Sequence, residues 1–332
     1  MPRLRWSGSL LLLGAVVCLV GACDAPRRNP LDPENPDTVL RTLRGTVRSD
    51  ARAPLPLAGV AVLWESGGIS TATDSAGRFA LLTTSASGGW LRFLKTGYRP
   101  DSVMVQWTSA GAVTVDPLLD AEPSLDSLLL YTVVKNWYSQ REYSLAVDVT
   151  VSDDDDIDSV WISQAHLSLR ASLERISSSR FQGRFADYDL GLSSLEELIG
   201  RPVMITAADR AGRSSAVGSG FVLRVIREEI EPLSPRNQDT VVTASVELRW
   251  RRFEPGFRFS YLVEVYTDEP EPVQVWSRGG ISSTEISVVV DPPIGVPAPE
   301  NRYFWVVWCI DDFQNRSRSK PASFTLLPAE TR

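Results

Sequence analysis

The stretch "YSLAVDVTVSD" at 143–153 alternates apolar and polar residues almost without a break, so Leu145, Val147, Val149 and Val151 fall on one face of an extended strand. Short runs of this kind recur from residue 41 onward, separated by Gly, Pro, Asp and Ser, and this punctuation predicts an all-β chain. The single helical signal is "SSLEELI" at 193–199, one or two turns with a Ser cap and an acidic first turn. At 332 residues the chain is long enough for two or three such folded units.

The N-terminal stretch has a different pattern. Arg3 and Arg5 precede an apolar run from Leu10 to Val20. At about 1.5 Å rise per residue that run falls well short of a hydrocarbon core about 30 Å thick. It has the length of the apolar core of a secretory signal peptide. The run ends in Val20-Gly21-Ala22-Cys23, which resembles a bacterial lipobox. The resemblance implies removal of residues 1–22, acylation of Cys23 and a lipid anchor in a membrane of the bacterial cell envelope. An ordinary signal peptide with a chance cysteine is the competing reading. Residues 23–41 then form a Pro-rich tether with little to bury. With Cys18 removed and Cys23 acylated, Cys309 keeps the one thiol, and no internal disulfide is possible.

Three β segments follow. Residues 42–119 carry "PLAGVAV" at 56–62, "TDSAGRFAL" at 73–81 and Gly97-Tyr98, and resemble the carboxypeptidase regulatory-like domain, a transthyretin-like sandwich without catalytic function. Val60, Val62, Phe79 and Leu81 are expected to point inward, with Asp74 and Gly77 in a tight turn. Residues 120–230 read as an immunoglobulin-like sandwich, whose "ADRAGRSS" resembles a hairpin turn common in bacterial modules of that fold. Residues 231–328 resemble a fibronectin type III domain, with Trp250 in "VELRW" as a core residue and "YFWVVWCID" as the sixth strand. Alternation turns Tyr303, Trp305, Val307 and Cys309 inward and Phe304, Val306 and Trp308 outward. Cys309 is read as a small buried hydrophobe. The Asp-x-x-Gly/Asn turns of all three segments point to a shared sandwich design.

Candidate chemistry is sparse. His166 is the lone histidine, set among alternating apolar residues as on a strand, which removes His-rich zinc sites and paired-His catalysis. No nucleophile elbow, phosphate-cradling loop or dinucleotide fingerprint is present. A net charge of −7 argues against a nucleic-acid partner. The run "SDDDDIDSVWIS" at 152–163 admits two readings. Calcium takes six to eight oxygens, and Asp153, Asp154 and Asp156 could supply some if Asp209 were brought alongside. The alternative is a solvated inter-strand turn whose charges oppose edge-to-edge aggregation. No other cofactor is expected.

The fibronectin resemblance places the third and sixth strands side by side. Leu262, Tyr266, Phe304 and Trp308 then share the outer face of one sheet, as a binding surface or as an interface packed against a neighbouring domain. The resemblances together imply a non-catalytic, lipid-anchored envelope protein for adhesion, scaffolding or protein binding. A carbohydrate-binding accessory lipoprotein, with aromatics stacking on sugar rings, is the alternative. The partners expected are the membrane, through the anchor, and an envelope protein or polysaccharide.

Overall fold

The computed structural model describes residues 39–107, 111–210, 212–242, 245–294 and 298–327. Cys23 and the tether up to residue 38 lie outside the described residues. The described residues are all-β, without a helix of seven or more residues, and no described helix is long and apolar enough to cross a membrane. It divides into two compact units, the break falling between Ala121 and Glu122.

The first unit packs a four-stranded sheet (Ile69–Ala72, Ala61–Trp64, Gly89–Leu94, Asp101–Val105) with a three-stranded one (Arg78–Thr83, Arg41–Thr46, Ala112–Thr114) and the short pair Arg48–Ser49 and Leu118–Leu119. The alternation of its strands is reflected in its core, where Leu43, Val60, Val62, Trp64, Phe79, Leu81 and Phe93 are all buried. The Asp74 carboxylate takes the amides of Ala76 and Arg78 at 2.9 and 2.8 Å, closing the predicted turn.

The second unit has two hydrophobic cores. The first lies between two sheets. One carries Arg180–Ala186, Arg141–Ser152 and Ser124–Asn136; the other carries Leu169–Ser172, Ile157–Gln164, Pro202–Asp209 and Ser214–Phe221. Leu145, Val147, Val149 and Val151 all point into this core. The second core lies between Pro232–Ser234, Glu247–Trp250 and Ser287–Val289 on one side and Gln274–Ser282, Phe259–Thr267, Arg302–Asp311 and Ala322–Leu327 on the other. Three strands thus face four across this core, the layout of a β-sandwich. Trp250, Tyr303, Trp305, Val307 and Cys309 fill it.

The two sandwiches share a sheet. Arg316–Arg318 pairs with Arg302–Asp311 on one side and, in parallel, with the end of Ser124–Asn136 on the other (Val133↔Arg316, Val134↔Ser317, Lys135↔Arg318). A ten-stranded sheet therefore runs through both halves. Pairing of this kind removes an exposed strand edge that would otherwise template aggregation.

One turn geometry occurs three times. Asp74, Asp209 and Asp311 each accept, at the side chain, the amide four residues on, from Arg78, Arg213 and Asn315 at 2.8–2.9 Å. The residue before that amide is left-handed in each case: Gly77 (φ 71), Gly212 (φ 78) and Gln314 (φ 69). Two local expectations change. The 193–199 helix is a 3₁₀ turn at Leu195–Leu198, capped by Ser194 and Glu197 in a capping box. Three residues per turn bring Leu195 and Leu198 to the same side, and both are buried. His166 is not on a strand: the Gln164 side chain accepts the Leu167 amide at 3.0 Å and starts a 3₁₀ turn on which the histidine is exposed.

Candidate functional site

The aspartate run is the turn joining Arg141–Ser152 to Ile157–Gln164. Folding does bring Asp209 beside it, through the pair Ile157↔Asp209. The Asp209 side chain is fully buried and bonded to its own hairpin, at 2.8 Å to the Arg213 amide and 3.2 Å to the Arg213 Nε. Asp153 accepts the Asp154 amide, and Asp156 faces Arg210 at 3.6 Å in solvent. Asp153, Asp154, Asp156 and Asp209 thus form no joint cation site in this structure. Among the described residues no group of three or more His, Cys, Asp or Glu has the geometry to hold a metal ion.

The four outer residues of the fibronectin-like half come together as expected, Leu262 opposite Trp308 and Tyr266 opposite Phe304. The Tyr266 and Phe304 rings stack at 5.3 Å. They do not form a free binding surface, however. Phe304 is 7% and Trp308 8% exposed, and both cluster with Val306, Val133 and Ala146. Val133 and Ala146 belong to the other sandwich, so the shared sheet supplies the cover. Trp308 Nε1 and the Tyr266 hydroxyl both donate to Glu264, at 2.7 and 2.8 Å. Burial, and then that bonded carboxylate, hold the Tyr266 hydroxyl well above its ordinary pKa.

The same face continues across the junction, because directly paired residues point the same way. Glu142, Lys135, Arg318, Trp308 and Leu262 form one row over five adjacent strands. Arg318 is buried, its guanidinium 4.1 Å over the Trp137 ring and 5.9 Å over Trp308. Burial lowers its pKa. Lys135 is half-buried, and its pKa is lowered by burial first and then by the neighbouring Arg184 and Arg318 charges. Arg184 reaches the face from Arg180–Ala186, paired with Ala146.

Beside these cations is an open cleft of about 500 Å³ lined by Lys135, Gln140, Glu142, Ser144, Arg184 and Tyr188. A smaller one of about 260 Å³ adjoins it, sharing Arg184 and bounded by Tyr131, Asp148 and Gln182. Asp148 holds Arg180 and Gln182, and the bond to Arg180 lowers the carboxyl pKa. Sequence reasoning missed this place, since its residues come from separate strands. The one available signal was the run "LLLYTVV" at 128–134, apolar on both faces and hence a strand covered on both sides.

No family model matches the chain, and no curated protein matches it in sequence. Among solved structures, fibronectin(III)-like modules of Clostridium thermocellum CbhA align at 12% identity over 63% of this chain and 96% of theirs, with a TM-score of 0.29. The FN1–FN3 domains of chicken CNTN1 align at 9% identity over 84% and 96%, with a TM-score of 0.31. A structure from a bacterial ice-binding adhesin aligns at 10% identity over 87% and 98%, with a TM-score of 0.24. At these scores nothing about the function of those proteins transfers to this chain.

Proposed function

We propose that the protein is a non-catalytic, lipid-anchored binding protein of the bacterial cell envelope, used for adhesion, scaffolding or protein binding. The observation that carries this reading is the face spanning the two joined sandwiches. Rigid strands present Lys135, Glu142 and Arg184 around an open cleft with Tyr188 beside them. Such groups recognise a ligand through charge, hydrogen bonds and ring stacking, and none of them is a nucleophile paired with a base. Support for the anchor is the lipobox-like Val20-Gly21-Ala22-Cys23.

The second reading, a carbohydrate-binding accessory lipoprotein, is favoured by the charged and hydroxyl-bearing side chains lining the cleft and by the exposed ring of Tyr188. Metabolic labelling with palmitate in a bacterial host tests the anchor. Label on the full chain, lost together with membrane retention in Cys23→Ala, is the expected result. An unlabelled chain released as a soluble protein overturns it. Cross-linking in intact cells and glycan-array binding then separate a protein partner from a polysaccharide.

A further inference from the structure

We propose that the cleft between Lys135, Arg184 and Tyr188 binds a carboxylated polysaccharide, the two cations holding the carboxylate and the tyrosine the sugar ring. This rests on the reading of the chain as a binding protein and names its ligand class.

Lys135 and Arg184 have no hydrogen-bonded or ion-paired protein partner among the described residues. Other arginines of the same sheet do: Arg180 is held by Asp148, and Arg141 lies 3.5 Å from Glu229. These two cations without a bonded partner, one of them half-buried and crowded by the buried Arg318, line the same cleft, where one anionic group can meet both. The lining also holds Glu142 and Asp187, so the cleft as a whole is not strongly positive. A ligand with phosphates or sulfates at every unit would be repelled by those carboxylates. A ligand that pairs one carboxylate with hydroxyl donors satisfies both sets of groups.

Tyr188 is 78% exposed on the 3₁₀ turn Tyr188–Leu190, positioned as a flat wall for a pyranose ring. Arg184 is common to both clefts, so the site runs past a single sugar unit and fits a chain. A bound peptide adds to a strand edge or fills apolar pockets. This cleft instead lies on a sheet face, with charged and hydroxyl-bearing side chains among its walls.

Isothermal titration of the full chain in detergent micelles tests the assignment, with oligogalacturonate, its methyl ester and dextran sulfate as probes. Oligogalacturonate is expected to bind, and its methyl ester about tenfold or more weakly, because charge-assisted bonds are lost. Lys135→Gln and Arg184→Gln should each cost a similar factor without lowering Tm, Lys135→Arg should retain binding, and Tyr188→Ala should weaken it. Equal binding of dextran sulfate overturns the proposal in favour of a plain cation patch. Galacturonate binding untouched by the three variants places the sugar elsewhere and overturns the cleft while the binding reading stands. A silent titration with a cross-linked envelope protein overturns the sugar alone. Silence in both overturns the sugar and the binding reading together.

Discussion

The side-chain oxygen of Asn315 accepts the backbone amide of Thr132 at 2.9 Å, joining a strand to a turn 183 residues further along the chain. Thr132 Oγ1 donates to the same oxygen at 3.2 Å and to the Arg224 carbonyl at 2.9 Å. On its other side, Asn315 Nδ2 donates to the Asp311 carboxylate at 3.0 Å, which also meets Arg224 Nε at 3.2 Å. One buried network therefore ties together both sandwiches and the segment linking them. Thr132, Asp311 and Asn315 are buried, so each depends on the others for its hydrogen bonds.

Replacing Asn315 by Leu keeps the volume and strips the Thr132 amide and the Asp311 carboxylate of a partner. The second unit should lose about 2–3 kcal/mol, the cost of leaving buried polar groups bare. The two sandwiches should also begin to melt separately. Calorimetry of the variant should show the transition of the second unit lowered and divided. An unchanged single transition would mean that the network does not couple the halves.

The three aspartate turns differ in their left-handed residue, and stability should follow that difference. At Gly212 an added Cβ meets nothing within 4 Å, so Gly212→Ala should cost about 1 kcal/mol from backbone strain alone. At Gly77 the Cβ would lie 2.5 Å from the Val47 carbonyl oxygen, and Gly77→Ala should cost more. Gln314 already bears that strain at φ 69, so Gln314→Gly should stabilise by about 0.5 kcal/mol after the entropy of the unfolded chain is offset. Urea titrations should rank Gln314→Gly the most stable relative to the parent, then Gly212→Ala, then Gly77→Ala. A destabilised Gln314→Gly would refute the argument.

What the sequence made legible was periodicity. Alternation assigned Leu145 to Val151 and Tyr303 to Cys309 to their correct faces, because a strand leaves a side chain only two choices. It could not say what lies on each face. Phe304 and Trp308 point outward from their own sandwich, yet Val133 and Ala146, on strands far upstream, help bury them. His166 continued an alternating pattern past the end of its strand, where a side-chain cap from Gln164 had already turned the backbone. The turn at Asp153–Asp156 was readable from its charges. The use of the Asp209 carboxylate in its own hairpin was not, since that depends on where the Arg213 amide points. Lys135 and Arg184 carry no local motif at all; their meeting is a property of strand order.

Trp308 is accordingly a stability residue. Trp308→Ala should destabilise the second unit by about 3–5 kcal/mol, the range for truncating a buried large aromatic. It removes the ring beneath Arg318 and leaves Glu264 without its 2.7 Å donor. Arg318→Met should be far milder, because a buried cation without an ion pair is replaced by a flexible apolar chain of similar length. Chemical denaturation of both variants checks the pair. A Trp308→Ala protein as stable as the parent would show that the face is open after all.

Cys309 gives the second unit a pH dependence of known sign. Burial, with the Asp311 carboxylate adding to it, pushes the thiol from its ordinary value of 9.0 up to about 12. Between those values the unfolded chain releases the proton while the folded one keeps it. The thiol's contribution is therefore fully present below pH 9 and is lost as pH rises toward about 12. From pH 9 to 10 the loss should be about 1 kcal/mol per pH unit, close to one proton's worth. Tyr261 and Tyr266 are also raised above their ordinary 10.0 and add a loss of the same sign toward pH 10, so the thiol's share is the difference between the parent and Cys309→Ala. Cys309→Ala should flatten the slope by that amount whatever it does to the stability at pH 8. Unfolding free energies measured across the window for both proteins, if they fall in parallel, would show that the thiol is not held in its neutral form.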